Sequence, residues 1–140
     1  MTACPRCKYD PDAKVLASWS FHVPREIRSG NARINNVGGS RWAYKAARQA
    51  WERDVLTLAR VHRIPDANGR RRVTLTRIIG YRQRAFDRDN LAAGFKPVVD
   101  ALVRGWLLVD DSEKHAELHF QQEKRDGVRG VLVLIEEVAP

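Results

Sequence analysis

RVTLTRIIGYRQRAFDRDNLAAGFKPVVDALVRGWLLVDD, residues 72–111, is the stretch that decides how this chain folds. Val73, Leu75, Arg77 and Ile79 alternate with Thr74, Thr76 and Ile78, so residues 72–81 read as a strand with Gly80 marking a bulge or bend near its end. Leu91, Phe95, Val98 and Leu102 then recur at helical spacing, Asn90 stands at a capping position, and Gly105 is a natural stop. Residues 106–109 are short and apolar and read as a brief extended piece.

Upstream, Ser40 is a candidate N-cap, and Tyr44, Ala47, Trp51, Val55 and Leu58 make the buried stripe of a long helix. Pro65 and the Asp66-Ala67-Asn68-Gly69 turn close it. Residues 15–23, VLASWSFHV, read as a strand ended by Pro24, and residues 25–39 as a long polar loop. Downstream, residues 115–122 alternate weakly, Arg125-Asp126-Gly127 signals a hairpin turn, and residues 128–138 are the clearest strand. The order β, α, β, α, β, β implies an α/β or α+β fold: a small mixed β-sheet with two main helices packed against it. Residues 1–14 read as a flexible tail, and residues 15–140 as a single domain.

Composition narrows the class. With 44% hydrophobic and 30% charged residues the chain is globular rather than disordered. Its longest apolar run, Val131 to Ile135, is too short to span a bilayer, and no secretory leader pattern opens the chain, so a reducing cytoplasm is the expected compartment. The net charge is +8 and the sequence pI about 10.1, which points to a polyanionic partner, nucleic acid first. The charge is uneven: residues 1–86 hold 18 Lys and Arg against 6 Asp and Glu, whereas residues 87–140 hold 7 against 11.

The carboxylates gather where chemistry is expected. Asp87-Arg88-Asp89-Asn90 stands between strand and helix, and Asp110-Asp111 follows that helix. Mg2+ and Mn2+ prefer oxygen ligands, and a phosphodiester nuclease needs converging carboxylates that leave room for water and phosphate. Asp87 and Asp89 supply two such groups from one extended edge, and Asp110 or Asp111 a third if the helix folds back. The plainer reading is that Asp-x-Asp-Asn starts a helix and Asp110-Asp111-Ser112 makes a turn. Lys96 leans toward Asp89 and can steady a phosphate, or else pairs with Asp100 one turn later.

Other features carry weaker signals. Arg33 and Arg41 flank a Gly38-Gly39 loop that can grip phosphates, while Arg70, Arg71 and Arg72, with Arg82, Arg84 and Arg88 around the acids, make further DNA-contact candidates. Gly-Lys-Ser/Thr is lacking, so no nucleotide loop is read. Cys4-Pro5-Arg6-Cys7 has the spacing of half a zinc knuckle, but tetrahedral zinc needs four ligands and no second pair follows, so zinc is not expected. Trp19, Trp42, Trp51 and Trp106 are read as core, and His115 and His119 as surface or supporting groups.

The chain resembles the RusA family of Holliday junction resolvases, common in bacteriophages and prophages. The matching residues are Asp87-Arg88-Asp89-Asn90, Lys96, Asp100-Ala101-Leu102, Gly105 and Val109-Asp110-Asp111-Ser112. The resemblance implies a homodimeric, Mg2+- or Mn2+-dependent endonuclease that binds branched, four-way DNA and nicks two opposing strands. It implies Asp87, Asp89 and Asp111 as metal-binding acids, with Asp110 ranked below, and Lys96 as the catalytic lysine. Two departures stand out. The segment from Asp89 to Lys96 is about one helical turn longer than in the best-known members, and Phe86 occupies a position where basic residues are typical. The alternatives are a nuclease for other branched DNA and a non-catalytic nucleic-acid-binding module of the same fold.

Overall fold

A computed structural model describes residues 14–28 and 40–139, with side chains from residue 43 onward in the second stretch. The tail with Cys4 and Cys7, most of the 25–39 loop including Arg33, and the side chains of Arg41 and Trp42 lie outside what is described. The elements are β1 (Val15–Val23), α1 (Ser40–Val61), β2 (Arg71–Ile79), α2 (Arg88–Gly94), α3 (Lys96–Arg104), β3 (Ala116–Lys124) and β4 (Gly130–Val138). The four strands form one open mixed sheet in the order β1-β4-β2-β3. The expected α+β architecture is therefore observed: a small mixed sheet with one layer of helices.

Alternation explains which face is covered. Phe21 and Val23 from β1, Val73 and Leu75 from β2, and Val131, Val133 and Ile135 from β4 are buried together with Trp51 and Val55 of α1 and Val98, Ala101 and Leu102 of α3. Leu91 and Phe95 complete the stripe read from sequence, and Phe95 stacks on Phe120 of β3 with centroids 5.3 Å apart. β2 and β3 run parallel, so the α2–α3 segment is the crossover that carries the chain from one end of the sheet to the other.

The structure departs from the sequence reading at several joints. The helix expected from residue 91 is two helices, parted at Phe95. Pro97 has no N–H to give the carbonyl four residues back and crowds it, so the ladder breaks just upstream. Gly94 serves this joint as well, because a Cβ there would stand 2.4 Å from the Arg28 carbonyl oxygen. The cap of α2 is Asp87 rather than Asn90: the Asp87 carboxylate accepts the Asn90 backbone N–H.

Residues 106–109 are a turn running into bends, not an extended piece. Leu107 N–H reaches back to Leu102 O (2.9 Å) and Trp106 N–H to Val103 O (3.2 Å), the pattern of a Schellman helix end. Gly105 keeps an ordinary φ of −85°, and Trp106 takes the left-handed position with φ 62°. Trp106 is consequently 65% exposed, not core.

The hairpin expected at Arg125-Asp126-Gly127 does not form, because β2 lies between β3 and β4. The link instead passes over the end of β2, where Arg125 N–H donates to Ile79 O (2.9 Å). Gly130, at φ 121°, lets β4 begin against β1; a Cβ there would meet Val23 O at 2.2 Å.

Candidate functional site

The acidic cluster is mounted on a clamp. Arg77 occupies a core-facing position of β2, and its guanidinium lies 3.5 Å from the centroid of the Phe86 ring. Arg77 Nη1 donates to Gln122 Oε1 (2.9 Å). That same oxygen accepts Phe86 N–H (2.8 Å), and Gln122 Nε2 donates to Phe86 O (2.8 Å). Burial pulls the Arg77 guanidinium below its ordinary pKa, and the nearby Glu26 charge opposes that shift. These bonds fix the residue before Asp87 against the edge of β3. Sequence reasoning missed the clamp, although a charged residue in the buried phase of an alternating strand was its visible sign.

From that anchor Asp87 enters α2 in extended conformation, φ −68° and ψ 169°. Its Oδ1 accepts Asn90 N–H (2.8 Å) and its Oδ2 accepts Asn90 Nδ2 (2.9 Å). Asp89 lies in the first turn of the helix. The two acids therefore do not share one extended edge, as their spacing had suggested. Both are exposed, as are Arg82, Arg84 and Arg88 around them. Ionised carboxylates at a helix start are favoured by the helix dipole, and each oxygen retains a second lone pair for a further partner.

Asp110 and Asp111 lie elsewhere. Ser112 O accepts the N–H groups of His115 (3.0 Å) and Ala116 (2.9 Å), which puts this pair at the amino-terminal end of β3. Asp87 is tethered through Phe86 to Gln122, near the carboxyl-terminal end of the same strand. At about 3.3 Å per residue the two ends are roughly 20 Å apart. Among the described residues, no group of three His, Cys, Asp or Glu is placed to hold a metal ion. The expected convergence of Asp87, Asp89 and Asp111 thus does not occur within one chain, because the helical crossover spans the sheet instead of doubling back. Among the described residues the donor set for a hard cation is incomplete.

Asp110 Oδ1 accepts the Asp111 N–H at 2.6 Å. Hydrogen bonds from Asp111, side chain first and then backbone, hold the Asp110 carboxyl below its usual value; further backbone bonding and the His115 charge act the same way. Lys96 pairs with Asp100 at 3.6 Å, and Asp100 also accepts the Tyr44 hydroxyl (2.8 Å).

The expected arginine patch at residues 70–72 is corrected in two of its three members. Arg71 is 1% exposed, donating to Leu107 O (3.0 Å), Pro65 O (2.9 Å) and Glu137 Oε1 (2.8 Å), with its guanidinium over the Trp19 ring. Arg72 is 6% exposed and paired with Glu117. Adjacent in β2, the two face opposite sides of the sheet, Arg71 toward the helices and Arg72 into the uncovered face, and each meets a carboxylate there. Arg70 donates to Glu113 O at 3.3 Å and remains nearer the surface.

The uncovered face of the sheet carries a groove of about 770 Å³ lined by Ser20, Arg72, Thr74, Thr76, His119 and Glu136, among others. No helix of the described residues is long and apolar enough to cross a membrane. No protein-family model matches the chain, and no curated protein matches it in sequence.

Proposed function

We propose that this chain is a divalent-metal-dependent endodeoxyribonuclease for branched DNA, with four-way junctions as the first substrate, working as a homodimer in the cytoplasm. The observation that carries the reading is the pair of exposed carboxylates, Asp87 and Asp89, set at a helix start that the Arg77–Gln122–Phe86 clamp anchors, with the exposed Arg82, Arg84 and Arg88 neighbouring them in sequence. The arginines suit backbone phosphate, and the acids suit a hard cation beside it. The motif resemblance to RusA resolvases and the +8 charge point the same way.

Asp111 stands apart from that pair, so on this reading a second copy of the chain supplies it. A twofold-symmetric dimer then owns two such centres, which suits paired cuts in a twofold-symmetric junction. The substrate class is phosphodiester, the reaction hydrolysis, and Lys96 is a phosphate-facing cation only if it leaves Asp100.

The second reading is a nucleic-acid-binding module without chemistry, favoured by the separation of the acids and the pairing of Lys96 with Asp100. One assay tells the two apart: the purified protein with junction, fork, linear duplex and single-stranded DNA, in Mg2+, Mn2+ and chelator. Symmetric nicks on junctions that vanish with chelator and with Asp89→Asn, while binding persists, support the nuclease. Tight binding with no nicking in either metal supports the module. Equal cutting of linear duplex counts against a junction enzyme.

A further inference from the structure

We infer that Trp106 is a stacking platform for an unpaired nucleobase at the branch point of the DNA, an inference that rests on the nucleic-acid reading above. Trp106 is 65% exposed, and its φ of 62° lies in the left-handed region that a side chain adopts at a cost. Gly105, the residue able to take that conformation freely, sits one position earlier with φ −85° and leaves it unused. The strained position is therefore occupied by a large aromatic that buries little of its surface.

The turn beneath it is rigid. Trp106 N–H donates to Val103 O at 3.2 Å, and Trp106 O accepts Ala67 N–H at 2.7 Å. The next carbonyl, Leu107 O, is held by the buried Arg71 guanidinium at 3.0 Å, and Leu107 and Leu108 are 1% and 0% exposed. The indole is thus projected from a fixed root. Val109, which precedes Asp110 and Asp111 in the chain, is partly exposed, and the Arg104 side chain just before the turn is 57% exposed.

A flat apolar group of this kind gains most from another flat group. In a chain of net charge +8, the flat groups delivered by a polyanion are nucleobases. A linear duplex keeps its bases stacked on one another and offers no free face, whereas a branch point exposes bases. Trp106 accordingly separates branched or single-stranded DNA from linear duplex, five residues before Asp111, the acid that the nuclease reading assigns to the cutting centre.

The test is fluorescence anisotropy in chelator, with a junction carrying unpaired bases at the branch and a linear duplex of the same length, on wild type, Trp106→Ala, Trp106→Phe and Trp106→Gly. Trp106→Ala is expected to weaken junction binding by about tenfold to a hundredfold, as loss of one stacked base does, and to leave duplex binding unchanged. Trp106→Phe retains most of the junction affinity. Trp106→Gly melts at a higher temperature than wild type yet binds the junction as weakly as the alanine variant, an outcome that a purely structural residue does not produce. Unchanged junction affinity in Trp106→Ala overturns this inference alone, as does a change of oligomeric state in that variant, which makes the indole a protein contact. Failure of the wild type to bind any of these DNAs overturns the nucleic-acid reading itself.

Discussion

Arg72 of β2 and Glu117 of β3 stand opposite each other in the parallel ladder and form an ion pair that is almost wholly buried, at 6% and 5% exposure. A buried pair contributes little over a well-packed apolar replacement, but removing one member strands a charge inside. Glu117→Ala is expected to cost about 3–5 kcal/mol of stability in urea denaturation, and the double variant Arg72→Leu/Glu117→Leu to recover most of it. A single-variant loss under about 1 kcal/mol would show that the Arg72 guanidinium finds water or Glu136 instead.

Asp87 has two separable jobs. As the cap of α2 it accepts the Asn90 N–H at 2.8 Å, and a serine can do the same. Asp87→Ala should lower stability by about 1 kcal/mol, whereas Asp87→Ser should lose little. If the acid also serves phosphodiester hydrolysis, both variants lose cleavage alike. Cleavage that follows stability rather than charge would reduce Asp87 to a cap.

Completion of the centre by a second copy has a distinctive signature. Asp89→Asn and Asp111→Asn are each expected to be inactive alone. Mixed and allowed to exchange subunits, they form a dimer in which one centre carries both defects and the other carries none. Nicking of one junction strand should return, without the paired cut. Centres made within single chains would stay dead in every mixture.

The pH dependence follows from Asp110. Its carboxyl is held below the ordinary value chiefly by hydrogen bonding from Asp111, so the folded state favours its charged form. A depressed folded pKa contributes stability above the unfolded value, and the contribution is lost as pH falls through the folded one. Carbon-13 titration of the side chain should place its midpoint below that of an exposed aspartate, and Asp111→Ala should raise it. Asp111→Ala keeps the backbone N–H bond, so an unmoved midpoint would mean that the Asp111 side chain does not contribute in solution.

Much of the framework was legible because it depends on local periodicity. Val73, Leu75 and Ile79 announce β2, and Leu91, Phe95, Val98 and Leu102 announce the buried stripe of the crossover. What was not legible depends on neighbours that local pattern does not name. An Arg-Asp-Gly turn reads the same whether the flanking strands pair or hold a third strand between them. Arg71 and Arg72 look like surface charge until strand pairing sets Glu137 and Glu117 beside them. Pro97 was a visible helix breaker, yet the apolar stripe runs on through it and masked the joint. Asp87 and Asp89 could be located at a helix start from sequence, but the distance to Asp111 is set by the path of the whole crossover.

The place of β4 in the sheet governs how the molecule can be assembled. β1 has no strand neighbour other than β4, which also closes on β2, so residues near Val23 wait for partners around Val131. Such a distant pairing is slow to find, and until it forms β2 and β3 are a two-stranded parallel ribbon with an open edge. A chain cut before Gly130, or still emerging from the ribosome at that point, presents that edge to other chains, and aggregation is the hazard it then runs.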